Sequence, residues 1–215
     1  MDRFAPAGFS SPQTAPDGGT GTLLESISGS DFQGAGSFYN TQGRGYDLPA
    51  GTKSAFIDLY VPSSWSSLAQ TGGRLASFWG VGYDSTNAIS AYPIIEFNNA
   101  SGGFRIWDDV NGVWINVGGF TGYNQWYQIG FSYGPTGVTY LVNGSPVGFE
   151  ADTTTQSIGS VILQGYNSGN SYNINWDGLT TTPVPEPASI ALFGAMAVGG
   201  LVYGWRRRVA CSKVL

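Results

Sequence analysis

The chain of 215 residues has no histidine and one cysteine, and only 11% of its residues are charged. Without histidine, Ser-His-Asp and Cys-His catalysis are excluded, along with the commonest metal ligand. The single cysteine, Cys211, lies near the C-terminus. Everything before it is therefore free of disulfides and depends on core packing, with a bound ion as the only further aid. Cations are scarce: residues 1–182 hold Arg3, Arg44, Lys53, Arg74 and Arg105 against thirteen carboxylates, a balance of −8, while residues 183–215 carry +3. Phosphate neutralisation by Lys and Arg supplies most nucleic-acid affinity, so nucleic acid is excluded as a partner. A helical period is also missing upstream of the last thirty-odd residues.

What is present is glycine, at 33 positions, and twelve tyrosines. Short β-branched and aromatic runs alternate with Gly, Asn, Asp and Ser clusters, the pattern of an all-β sandwich or barrel. Strands are expected over residues 23–28, 54–61, 74–83, 92–98, 103–107, 113–117, 125–133, 137–143, 147–150, 160–166 and 172–179. Eleven strands imply two large packed sheets. Asn111-Gly112 and Asn143-Gly144 mark two hairpin turns, because Asn and Gly tolerate the positive φ that such turns need. Residues 1–22, with Pro6, Pro12 and Pro16, read as a flexible leader. Residues 1–21 also lack the apolar stretch of about 7 to 15 residues that an export leader needs, so a mis-assigned start, with the true one upstream, or a chain shortened at its leader is expected.

The C-terminal region follows a different logic. Val184-Pro185-Glu186-Pro187 precedes an uncharged apolar run over 188–205, followed by Arg206-Arg207-Arg208 and a short basic tail, 206–215 in all. As a helix, the run would be about 27 Å long, close to the roughly 30 Å hydrocarbon core of a bilayer. The three arginines stay in water, and the positive-inside rule makes that water cytoplasmic. Residues upstream of Pro183 then lie outside the cytoplasm. Pro183, Pro185 and Pro187 disfavour helix and present an extended strip just ahead of the span. In order and spacing these parts resemble the PEP-CTERM sorting signal over residues 183–208. The resemblance implies processing by exosortase, an integral-membrane transpeptidase-like enzyme. It also implies a role linked to exopolysaccharide and biofilm, with passage through the inner membrane to the cell envelope or outer surface. A generic single-pass anchor is the alternative. Val184, Pro185, Glu186 and Pro187 form the processing motif, and Arg206, Arg207 and Arg208 fix the orientation.

A second resemblance rests on Trp126-Tyr127-Gln128-Ile129-Gly130-Phe131-Ser132-Tyr133, the turn Gly134-Pro135-Thr136-Gly137, and Val138 to Val142 with Asn143-Gly144. These segments, with residues 55–62 and 174–179, are similar to concanavalin A-like, laminin-G-type jelly-roll domains, here over residues 23–182. The family includes lectins and glycoside hydrolases. Its β-glucanase branch carries Glu-x-Asp-x-x-Glu, but Glu96-Phe97-Asn98-Asn99-Ala100 breaks that motif at both later positions. No enzyme activity is expected. For a lectin-like alternative, Trp107, Trp114 and Tyr123 offer flat apolar faces to sugar rings, beside polar Asp109 and Asn111. Core packing is the competing reading for each tryptophan. The resemblance also implies a calcium site, for which Asp31 and Asp177 are the candidate oxygen ligands. Turn formation is the simpler explanation for both. The expectation is a non-enzymatic, exported surface or matrix protein, structural or adhesive, with exosortase and exopolysaccharide as its partners.

Overall fold

The computed structural model describes residues 8–31, 41–68, 73–167 and 169–181. The chain divides into two compact units, Met1–Pro183 and Val184–Leu215, of which the second lies outside the described residues. Among the described residues no helix is long and apolar enough to cross a membrane. The expected processing motif 184–187, the span at 188–205 and Arg206 to Arg208 all fall outside that set.

Met1–Pro183 is an all-β, antiparallel two-sheet sandwich. Sheet A takes the order β1 (Gly8–Thr14), β2 (Thr20–Ile27), β14 (Tyr172–Thr180), β4 (Ser54–Val61), β10 (Gln125–Gly134), β11 (Gly137–Val142) and β12 (Ser145–Ala151). Sheet B takes the order β3 (Thr41–Asp47), β13 (Ser157–Tyr166), β5 (Arg74–Tyr83), β7 (Ile94–Asn98), β8 (Gly103–Asp108) and β9 (Val113–Asn116), with β6 (Ile89–Ala91) paired to β5. The sheets mix early and late strands: β14 pairs with β2 and β4, and β13 with β3 and β5.

Alternation along each strand decides which face meets the core. In β10, Tyr127, Ile129, Phe131 and Tyr133 are buried against sheet B, while Trp126, Gln128 and Ser132 turn outward. Sheet B answers with Phe78, Phe97, Phe104, Ile106, Val161 and Leu163. The contact between the layers is tight: Phe78 stacks on Phe131 with ring centroids 5.1 Å apart. Burying each such ring contributes about 1.5 to 3 kcal/mol, so the core is dominated by its aromatic residues.

All eleven expected strands form, with ends shifted by a few residues, and the Asn143-Gly144 turn has the expected positive φ angles of 50° and 76°. Among the described residues three further strands form: β1, β3 and β6. Residues 8–22, expected as flexible leader, hold β1 and the start of β2. The physical reason is backbone pairing: β1 adds to β2 through main-chain hydrogen bonds at the edge of sheet A while most of its side chains remain in solvent. Its sequence therefore shows no hydrophobic alternation.

Candidate functional site

Cross-strand register builds a polar row on the outer face of sheet B. Gln164 of β13 pairs with Ser77 of β5, Ser77 with Glu96 of β7, Glu96 with Arg105 of β8, and Arg105 with Asn116 of β9. Their strand neighbours Leu163, Phe78, Ile95, Phe97, Phe104 and Ile106 belong to the core, so the row faces away from sheet A. One step along β8 and β9, Trp107 pairs with Trp114 on that same outer face.

Glu96 is the hub. It is fully buried, and Ser77 Oγ donates to its Oε2 at 2.7 Å while Arg74 Nε donates to Oε2 at 3.2 Å. Arg105 reaches Oε1 with both Nε and Nη2 at 2.7 Å. One carboxylate thus neutralises parts of two guanidiniums in a setting shielded from water, where charge-assisted bonds are strong. Trp114 covers both cations: its ring lies 4.3 Å from the Arg105 guanidinium carbon and 5.2 Å from that of Arg74. The Tyr166 ring also lies against Arg74, at 4.7 Å. Such cation–π contacts hold the Trp114 ring in a defined place.

Trp107 stands edge-on to Trp114, with centroids 5.3 Å apart and planes at 62°. Both tryptophans are half-buried. The indole Nε1 of Trp107 donates to Asp109 Oδ1 at 2.7 Å, and the other oxygen of Asp109 accepts the Tyr92 N–H at 2.7 Å. The Asp109 N–H donates to Glu150 Oε1 at 2.8 Å, and the Tyr140 hydroxyl donates to Glu150 Oε2 at 3.2 Å. This chain of bonds ties the β8–β9 hairpin of sheet B to β12 of sheet A. Partial burial pushes the Glu150 carboxyl above its ordinary range, with the charges of Asp109 and Asp108 adding to the rise and the two donors opposing it. Asn111 closes the hairpin turn: its N–H and Nδ2 donate to the two Asp108 oxygens at 2.9 and 2.7 Å, holding that carboxyl low.

Of the residues expected to bind sugar, Trp107, Trp114, Asp109 and Asn111 therefore meet in one hairpin. Tyr123 does not join them. Its ring packs on Phe120 at 5.1 Å and Phe97 at 6.2 Å, on the core side of sheet B. In the sequence Glu96 enters only as the start of a broken glucanase motif, and Arg74, Ser77 and Arg105 belong to no motif. A signal existed: Glu96 and Arg105 each sit between two large apolar residues on a strand, which places them together on the opposite face.

The expected calcium ligands are not brought together within the described residues. The Asp31 side chain lies outside them. Asp177 is exposed, accepts the Gly178 N–H at 2.7 Å and pairs across strands with Asp58. Partial burial is the main cause of a raised Asp58 carboxyl, and the charge of Asp177 adds to it. Among the described residues no group of three or more His, Cys, Asp or Glu is placed to hold a metal ion.

Residues 183–208 match the family model of the PEP-CTERM protein-sorting motif. No curated protein sequence matches the chain. Similar solved structures include a sialidase, at 12% identity and a TM-score of 0.50, over 82% of this chain and 17% of that one. The chain therefore spans about a sixth of the sialidase's length. Others are the β-glucanase of Bacillus licheniformis (14% identity, TM-score 0.43, 83% and 88% of the two chains) and a tetrameric galectin from the ball sponge Cinachyrella sp. (12%, 0.42, 64% and 97%). At these identities the likeness to the sialidase segment is one of fold.

Proposed function

We propose that this is an exported, non-enzymatic surface protein, sorted by exosortase-type processing at Val184 to Pro187, whose sandwich adheres to polysaccharide through the outer face of sheet B. The sorting half of this reading is supported by the motif match at residues 183–208. The binding half rests on one observation: Trp107 and Trp114 stand half-buried, side by side and immobilised, with Asp109 and Arg105 beside them. Sugar rings are bound by apolar ring faces flanked by a few directed polar groups, held rigid before the ligand arrives. The Arg74–Glu96–Arg105 cluster supplies the rigidity beneath Trp114. All four oxygens of Asp109 and Glu150 already accept protein hydrogen bonds, which favours a binding role over an acid–base one.

The test is a pull-down of the full chain on exopolysaccharide from a biofilm matrix, alongside an assay for released reducing sugar. Binding without sugar release is expected, and Trp107→Ala with Trp114→Ala abolishes it. Retention that survives both substitutions overturns the platform, and sugar release overturns the non-enzymatic reading.

A further inference from the structure

A second concave feature lies elsewhere on the sandwich, away from the polar row. Edge strand β3 pairs Arg44 with Leu163 and Tyr46 with Val161 of β13. Both partners belong to the core, so Arg44 and Tyr46 are on the face of sheet B that turns toward sheet A. In a closed sandwich such positions are apolar and buried. Here Arg44 and Tyr46 are exposed. The two sheets stand apart at this edge, and the space between them is a cleft of about 780 Å³.

The walls of the cleft are apolar. Ile57, Leu163 and Trp176, all members of the core, form its depth, and the partly buried Leu23, Leu48 and Leu179 line it nearer the solvent. Phe9, on the inward face of β1 by its pairing with buried Glu25, meets the Arg44 guanidinium at 5.0 Å, a bridge from sheet A to sheet B. Among the described residues, two charged ones line the space. Asp177 is turned to its own backbone, accepting from Gly178. Arg44 has no carboxylate within salt-bridge distance among the described residues.

We infer that this cleft binds a single-chain amphiphile, with its apolar chain between the sheets against Ile57, Leu163 and Trp176 and its anionic head on Arg44. The volume falls in the range of small-molecule sites, about 300 to 1,000 Å³. Each methylene that enters leaves water for a wall already made of core side chains, which is favourable in proportion to the area covered. Arg44, the one cation among the described lining residues, sets the sign of the head group and which way round the ligand lies. The inference stands apart from the polysaccharide reading, since none of the residues lining the cleft belongs to the Trp107–Trp114 hairpin.

The experiment uses the full chain in a nonionic detergent, photolabelled with a diazirine-bearing palmitate and mapped by peptide mass spectrometry. The expected adducts fall on peptides carrying residues 44–49 and 176–181, and unlabelled palmitate competes them away. Hexadecanol, with the same chain and no charge, competes about tenfold less well, and Arg44→Gln lowers labelling by a similar factor, the loss expected for one charge-assisted contact. Leu48→Trp, which fills the space without touching the charge, removes the labelling. Adducts confined to residues 188–205, labelling unmoved by either substitution, or equal competition by acid and alcohol would each overturn the proposal. So would a crosslink from 4-benzoylphenylalanine at position 48 to residues 182–187, which would make the occupant the chain's own linker.

Discussion

The indole Nε1 of Trp176 donates a 2.9 Å hydrogen bond to Oε2 of Glu25, with both side chains fully buried between the sheets. Glu25 occupies an inward position of β2, opposite Ile174 of β14. No Lys or Arg forms a salt bridge with it among the described residues. Burial pushes its carboxyl well above the ordinary range, and the bonds from Trp176 and the Gly165 backbone offset only part of the rise. The protonated acid is the form that suits this site.

A pH dependence follows from that shift. In the unfolded chain Glu25 titrates near 4.5, while in the folded chain it titrates well above. Below the unfolded value both states hold the proton and the contribution to stability is complete. As pH rises toward the folded value, only the unfolded chain releases its proton, so stability falls. Half-buried Glu150 adds a smaller slope of the same sign. Glu25→Gln keeps an acceptor for Trp176 and cannot ionise. Thermal melts from about pH 5 to about pH 8 should therefore show the unmodified chain losing stability relative to Glu25→Gln. Parallel curves for the two proteins would refute the burial argument.

The hub on the other face gives a prediction of different origin. Arg74 and Arg105 share Glu96 in a water-shielded cluster. Removing the shared charge leaves two cations poorly compensated, at a cost of about 3 to 5 kcal/mol for a buried pair. At about 2 to 4 °C per kcal/mol for a chain of this size, Glu96→Gln should lower the melting temperature by roughly 10 °C. A shift under about 2 °C would mean that the cluster is solvated in practice.

How much of this was legible in the sequence follows from the physics of each element. Strands that meet the core were readable, either as apolar and aromatic runs buried along nearly their whole length, such as β4 and β5, or as alternation, such as β10. β1 and β3 were not, since edge pairing is made by the backbone and asks little of side chains. The Trp107–Trp114 pair was readable because a single hairpin makes it. The Arg74–Glu96–Arg105 cluster was not, because Glu96 is 22 residues from one arginine and nine from the other, and only strand order brings them together. Tyr123 shows the reverse difficulty: its neighbours in sequence are polar, yet its position after β9 turns its ring back onto the core.

Packing between the sheets can be tested at a glycine. A Cβ added at Gly80 would stand 2.7 Å from two Phe131 ring carbons and 2.8 Å from Pro93 Cγ, where Phe78 and Phe131 already stack. Gly80→Ala should cost about 1 to 3 kcal/mol through overpacking, read as a lower denaturation midpoint at unchanged slope. Gly118 has nothing within 4 Å of its added Cβ and negative or extended φ. Gly118→Ala should leave the unfolding free energy within about 0.5 kcal/mol of the unmodified chain.

The sorting reading predicts a separation between processing and orientation. Residues 183–208 match the sorting motif; in the topology we propose, the prolines and Glu186 act on the outer side of the membrane and the arginines on the inner side. Replacing Pro185-Glu186-Pro187 by alanine removes the proline-rich motif but leaves the apolar run and its positive flank. The protein should then accumulate uncut in the membrane fraction of an exosortase-bearing host, with the sandwich still accessible to external protease after the outer membrane is opened. Replacing Arg206, Arg207 and Arg208 by glutamine should do the opposite: the motif is intact, but the charge that on the proposed topology keeps the C-terminus cytoplasmic is gone, so orientation should become mixed and only the correctly oriented fraction be processed. Equal processing of all three proteins would separate the chain from this pathway, whatever its sandwich binds.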